Sequence, residues 1–437
     1  MSWSGLPDTV RTVECAVADF TSVARGKVVA RADFEAMRGC KLPSVVLGVT
    51  LTGGEPEAVF GPLLPEAYGD LHLEPDLTTV VPVPGRSDRV SVVCEPTGLM
   101  PDARRFSPRA ALRRVIGRLV DAGLRATVAP ELEFFLVERT ADGGLRPAGV
   151  PGRSGSREHA LEIASLERTS HFAPYFDALF DACATQRIPV TGHAHESAAG
   201  QYEVNFAPGE PLAMADAVWR FKRLARETAV RQGFLATFMA KPFLDQPGTG
   251  MHWHVSLQDH LGGHNVFSEP DGSASPRLAR FIAGVQRDAA AALALFAPHD
   301  HSFDRLSHGD ASPTTADWGC DDRGVAFRIP PSSPANRRVE NRLPGGDASL
   351  YLTVAATLGL GLLGMERAAA PLAEAPALPR ALGAALDALD ASRLLRDLLG
   401  DALVDLYVAL KRHESAGRNA VADPRHGWDF VHLTEQA

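Results

Sequence analysis

The sequence predicts an α+β fold, with a small β-rich unit in front of a larger unit of mixed strands and helices. Between Thr12 and Val93 the chain passes through short β-branched runs bounded by Gly and Pro, such as TVECAVADFT and RVSVVCEPTG. Apolar residues take up helical spacing only after Ser107-Pro108, in ALRRVIGRLVDAGL. From Ser349 onward the pattern is mostly helical.

In chain order, KVVARADF, SVVLGVTLTG and LTTVVPVPG complete the strand-like runs of the first unit. Ser107 reads as a helix N-cap with Pro at the first helical position, and the helix ends near Gly123. The boundary falls between Glu95 and Phe106, giving units over 1–100 and 101–437. In the second unit RATVAPELEFFLVER reads as a strand and APYFDALFDACATQR as a helix. PVTGHAHESAAGQYEVNFAP reads as a hairpin around a Gly-containing loop. LAMADAVWRFKRLARETAVRQG reads as a long helix and GTGMHWHVSLQD as a strand. No repeat of solenoid or propeller period is present.

With 437 residues, 45% of them hydrophobic, the chain can bury a large core. The net charge of -9 and the shortness of the Arg runs (Arg104-Arg105, Arg113-Arg114, Arg337-Arg338) argue against a nucleic-acid partner. Five widely spaced cysteines without a CxxC suggest neither a disulfide framework nor a zinc knuckle, and so a reducing cytoplasm. No basic segment followed by an apolar one opens the chain, so no signal peptide is read. The apolar stretch Leu350–Met365 is interrupted by Thr353, Thr357, Gly359, Gly361 and Gly364. That pattern suits a packed internal helix better than a membrane span.

The chemistry is carried by acids and histidines at every second position of extended segments, where residues i and i+2 share a face. Glu131 and Glu133 form one such pair, and His252 and His254 another. Glu196 and Glu203 bracket SAAGQY and could face one another on the hairpin, and Glu340 and Arg342 repeat the spacing. Any one pair is ordinarily the solvated face of a sheet. Five carboxylates and an imidazole together suit hard divalent cations such as Mg²⁺ or Mn²⁺. Arg305, Arg323, Arg328, Arg338 and Arg342 lie in one turn-rich segment and can grip carboxylate or phosphate oxygens.

The series PELEFF, HESAAGQYEVNF, KPFLDQPGTGMHWHVSL, RGVAFRIP and RRVENRLPGGDASLYL resembles the glutamine synthetase family in order and spacing. LEPDLTTVVPVPG resembles that family's N-terminal β-grasp domain more loosely. The resemblance implies a catalytic domain with a curved antiparallel sheet and surrounding helices. It implies an ATP-dependent ligase with two or more metal ions, assembled as a dodecamer of stacked rings whose N-terminal domains complete the neighbours' sites. Matched residue by residue, it puts Glu133, Glu196 and Glu203 around one metal and Glu131, His252 and Glu340 around the other. Arg305 and Arg342, with the backbone of Gly248, match glutamate-holding positions. Arg323, Arg328 and Arg338 match positions facing ATP phosphates, and His254 and Ser256 match residues near the nucleotide.

The departures from that pattern concern the amine. Ala311 stands where ammonia-using members carry an acid, with Asp310 beside it, and no acid lies between Lys41 and Ser44. Pro247 replaces a glutamate-contacting Asn, and no modifiable Tyr lies between Ala369 and Arg380. Ammonium needs fixed anionic partners, so its pocket should be weak here. The expected reaction is therefore ligation of the glutamate γ-carboxylate to an organic amine through γ-glutamyl phosphate. This is similar to the γ-glutamylpolyamine and γ-glutamylmonoamine synthetases. The alternatives are an ammonia-using glutamine synthetase, a ligase for an acid other than glutamate, and a non-catalytic relative.

Overall fold

The structure is a computed structural model that describes residues 5–21, 23–67, 69–98, 103–150, 157–158, 161–307 and 312–437. Six strands form the first sheet: β1 (Thr12–Ala18), β2 (Ala24–Ala30), β3 (Cys40–Pro43), β4 (Asp70–Pro75), β5 (Val81–Val83) and β6 (Arg86–Thr97). Their order is β2-β1-β6-β4-β3, with β5 also on β6, and every pairing is antiparallel except β1 with β6. Helix α1 (Arg31–Met37) follows β2 and buries Phe34.

Two of the expected strands take other forms. KVVARADF leaves the sheet at Ala30 and turns into α1. SVVLGVTLTG folds as a 3₁₀ turn over Ser44–Leu47. Val46 packs on the core of the small sheet and Leu47 on the main core. A turn with three residues per revolution can send neighbouring side chains to different cores, so β-branched content here marks burial rather than extension.

Ser107 caps α2 (Pro108–Asp121) by accepting from the Ala110 N–H at 3.1 Å. From α2, the buried Arg109 reaches Asp76 and Glu95 of the first sheet region and Asp216 of a later helix, at 2.8–3.0 Å.

The second sheet is built on the 16-residue β7 (Leu124–Arg139). The other strands are β8 (Leu145–Pro147), β9 (Val190–His195), β10 (Gln201–Phe206), β11 (Leu235–Thr237), β12 (Met251–Asp259), β13 (Trp318–Cys320), β14 (Phe327–Ile329) and β15 (Val339–Asn341). The order is β13-β14-β15-β12-β7-β10-β9, with β8 and β11 also on β7. All of these pairings are antiparallel except β13 with β14. The β9–β10 hairpin turns at Gly200, whose φ of 73° suits a residue without Cβ.

Helices α3 (Leu166–His171), α4 (Ala173–Thr185), α5 (Pro211–Arg231), α6 (Pro276–Phe296), α7 (Ser302–Ser307), α8 (Leu350–Glu366), α9 (Leu382–Ala391), α10 (Arg393–Leu399) and α11 (Asp401–Asn419) belong to this unit, and a π-helical turn (Arg425–Asp429) leads into the short α12 (Phe430–His432). Helix α8 is the apolar stretch noted above, and it is buried almost throughout. A Cβ on its Gly364 would meet Gly284 Cα of α6 at 2.6 Å, so the two backbones cross in near contact. No helix among the described residues is long and apolar enough to cross a membrane.

Candidate active site

The register of the second sheet brings the acids and imidazoles together. Glu203 on β10 lies directly opposite Glu133 on β7, and Asn205 lies opposite Glu131. On the other edge of β7, His252 of β12 is opposite Glu131. His254 of β12 is opposite Glu340 of β15, which in turn faces Arg328 of β14. Period-two alternation puts these side chains on one face, so five adjacent strands contribute to one patch.

Two cavities lie over this patch. The first, about 520 Å³, is lined by Glu133, Glu196, Gln201, Glu203, Gly248, His252, Arg305, Arg323 and Arg342 among others. The second, about 490 Å³, is lined by Glu131, Asn205, His254, Ser256, Gln258 and Arg338 among others. The i, i+2 pairs therefore straddle the boundary: Glu133 and His252 face the first cavity, Glu131 and His254 the second.

At the boundary the contacts are close. His254 Nε2 is 2.9 Å from Glu131 Oε1, and His252 Nδ1 is 3.7 Å from Glu131 and 3.6 Å from Glu340. Ligand atoms of Glu131, His254 and Glu340 all lie within 4.8 Å of one another. Glu340 is fully buried, accepts from Arg328 at 2.9 Å, and pairs with Arg342. Glu133 accepts from the Gly250 N–H at 2.8 Å and from Gln201 at 3.1 Å. Gln201 also donates to the Gly248 carbonyl at 2.9 Å. Glu196 lies just beyond β9, opposite neither Glu203 nor Glu133, because Glu203 pairs with Ala194 on that strand. The hairpin brings Glu196 and Glu203 to the same cavity without setting them face to face.

At Glu133, Glu196 and Glu203, burial and mutual repulsion outweigh the pull of the nearby arginines. Burial, reinforced by the charges of Glu196 and Glu203, pushes Glu133 up to about 8. Burial and then Glu131 push Glu203 up to about 7, and Glu196 is raised chiefly by burial. Burial also opposes ionisation of Glu131, but His252 and His254 outweigh it and hold its carboxyl well below the usual range. Burial depresses His252 to about 4, against the pull of Glu131, which leaves a neutral imidazole able to donate a lone pair. Like charges directly opposite on neighbouring strands are destabilising unless a cation lies between them. The oxygen-rich donor set with one or two imidazoles fits hard divalent metal ions.

The arginines separate by location. Arg305 on α7 is buried, and its guanidinium donates to the Leu343 and Arg342 carbonyls at 2.8 and 3.1 Å. Burial lowers it to about 10, so it stays charged at neutral pH. Arg342 and the exposed Arg323 line the same cavity, and Arg342 Nε donates to the Arg323 carbonyl at 3.2 Å. Arg338 lies in the second cavity and donates to His254 Nδ1 at 3.2 Å. Ser256, in that cavity, accepts from Asn265 at 3.2 Å. Arg328 is held between Glu340 and Asp321. Ala311 and Asp310 lie outside the described residues.

Gln201 and Asn205 were not among the residues singled out from the sequence. The alternation Gln201-Glu203-Asn205 was the signal for them, since all three share the Glu203 face.

Two cavities on either side of these carboxylates and imidazoles, each with arginine in its lining, make a site that gathers anionic groups around cations. Residues 105–430 match the family described as glutamine synthetase, catalytic domain, and the chain belongs to the glutamine synthetase family as one of its ligases. That family uses ATP and divalent metal ions. The chain is 34% identical over 366 residues to gamma-glutamylputrescine synthetase of Escherichia coli, covering 81% of this chain and 75% of that one. It is 33% identical to a glutamine synthetase of Mycolicibacterium smegmatis, covering 70% and 71%. It is 29% identical to the glutamate–isopropylamine ligase of a Pseudomonas species, covering 97% and 94%. The fold matches a solved glutamine synthase homolog with a TM-score of 0.83 at 27% identity, over 99% of both chains.

Proposed function

We propose that the chain joins the γ-carboxylate of glutamate to an organic amine at the expense of ATP. The observation that carries this reading is the buried cross-strand pair Glu133–Glu203 in one cavity with Arg305 and Arg342. Such a cavity accepts cations and anionic substrate groups together. Glu133, Glu196 and Glu203 would hold one Mg²⁺ or Mn²⁺ ion, and Glu131, His252 and Glu340 another. Bound there, such ions neutralise phosphate oxygens during phosphoryl transfer. The second cavity would take the nucleotide, with His254, Ser256 and Arg338 beside it and Arg328 nearby. Arg305, Arg342 and the Gly248 carbonyl would orient glutamate, and Arg323 would counter the charge of the γ-phosphate.

The reaction has two steps. The γ-carboxylate takes the terminal phosphoryl group of ATP and becomes γ-glutamyl phosphate. An uncharged amine nitrogen then bonds to the γ-carbon, phosphate leaves with the C–O electron pair, and the nitrogen loses a proton. Glu196, a carboxylate of the cluster that lines this cavity, would take that proton. Loss of the family's ammonium-binding acid at Ala311 and similarity to two amine ligases support an organic amine over ammonia. We extend the reading to a cytoplasmic homododecamer of stacked rings, with residues 1–100 as the β-grasp domain and 101–437 as the catalytic domain.

The test is a phosphate-release screen with ATP, glutamate, ammonia and a panel of amines. Amine-dependent release is expected, and it should vanish in Glu131→Ala and Glu203→Ala with the fold retained. Efficient turnover of ammonia at modest concentration would overturn the choice of acceptor.

A further inference from the structure

The first cavity has a wall that the chemistry above does not use. Leu161, Ile163 and Leu244 line it beside Glu196 and Ser197. All three are large apolar side chains left open to solvent, with 66%, 67% and 51% of their surface exposed. Scattered exposed leucines need no explanation, but three large apolar residues lining one polar, charged cavity do.

The segment carrying Ile163 is tied to His195 by two hydrogen bonds. On one side of it, His195 Nδ1 donates to the Glu162 carbonyl at 2.7 Å. On the other, the Ala164 N–H donates to the His195 carbonyl at 2.9 Å. Ala164 holds a φ of 57°, a left-handed conformation that costs a non-Gly residue free energy and persists only where the surroundings enforce it. Both bonds go to the residue directly before Glu196, so Ile163 is fixed beside that carboxylate.

The charge on this side is confined. Among the described residues, the carboxylates lining the cavity are Glu133, Glu196, Glu203 and Asp245. The first three belong to the cluster assigned to the cation and the incoming nitrogen. Asp245 is exposed, where an ion pair contributes little. Among the described residues, a second ammonium on the acceptor would therefore find no buried carboxylate outside that cluster.

We propose that the acceptor is a monoamine with a short apolar substituent, seated against Ile163, Leu161 and Leu244. This rests on the ligase reading above and narrows its acceptor. The reacting nitrogen lies toward Glu196, its N–C bond forms as the C–O bond to phosphate breaks, and the hydrocarbon takes the place of water on the apolar wall. Each methylene buried there should raise kcat/KM about fourfold.

The test compares kcat/KM of the full-length protein for short alkylamines and for α,ω-diamines of equal carbon count, with product identified by mass spectrometry. Alkylamines should be favoured at least about tenfold. Ile163→Asp should narrow or reverse the ratio, whereas Ile163→Ala should lower alkylamine turnover without helping diamines. Leu166→Asp, at an exposed leucine that does not line the cavity, should leave the ratio as it is. Equal or better diamine turnover by the unmodified protein overturns this inference and leaves the ligase reading standing. So does an Ile163→Asp variant that alters only the sedimentation behaviour. Absence of product with every amine overturns the ligase reading, and this inference with it.

Discussion

Gly248 and Arg305 are packed so closely that no side chain fits between them. A Cβ on Gly248 would lie 2.9 Å from Arg305 Cγ and 2.4 Å from the Ala240 carbonyl oxygen. One of these contacts is backbone and cannot yield, so the other must. Gly248→Ala should displace the Arg305 guanidinium from the carbonyls that hold it. We expect kcat/KM for glutamate to fall about 100-fold, with a smaller loss in thermal stability. Steady-state kinetics at varied glutamate checks this, and an unchanged KM would separate Arg305 from glutamate binding.

The Glu133–Glu203 pair makes stability depend on pH and metal together. Both carboxyls are raised in the folded protein, to about 8 and about 7, above their ordinary values near 4.5. The folded state then binds more protons than the unfolded one across that interval, so stability falls as pH rises from about 4.5 to about 8. Metal-free protein should therefore have its higher Tm at pH 5.5 and its lower Tm at pH 8. Mn²⁺ should raise Tm more at pH 8 than at pH 6, and binding should release protons in calorimetry. A metal effect independent of pH would contradict the pairing.

His252 and His254 are separable by the cavity each faces. His252→Ala should weaken divalent metal binding by about 10- to 100-fold. His254→Ala should act mainly on ATP affinity, although its Nε2 also lies 2.9 Å from Glu131. Titrations of each variant with Mn²⁺ alone, then with ATP, distinguish the two roles. A stronger loss of metal in His254→Ala would move that imidazole into the metal shell, in line with its closer approach to Glu131.

Arg109 is the buried cation linking the small sheet to α5. It meets three carboxylates, from Asp76, Glu95 and Asp216, at 3.0 Å or less. Removing it leaves Glu95 and Asp216 without their cation, while Asp76 keeps Arg113, so Arg109→Met should cost about 3–5 kcal/mol in urea unfolding. Loss of activity in that variant should follow loss of fold rather than precede it.

Much of this protein can be read from its residues. Alternation on RATVAPELEFFLVER and GTGMHWHVSLQD identifies two strands and the face that carries Glu131, Glu133, His252 and His254, because a strand has a fixed period of two. The Ser107-Pro108 pair marks the start of α2, because capping chemistry is local. Periodicity within one segment is silent about segments far apart in sequence. It could not say that Glu203 would stand opposite Glu133, that Glu196 would miss both, or that the acids would divide between two cavities. Those are matters of register between strands, set by how the whole sheet buries its apolar face. Nor could it tell that Ile163 would be tied to His195 and left facing a charged cavity. That position depends on long-range hydrogen bonds, which only the assembled tertiary structure supplies.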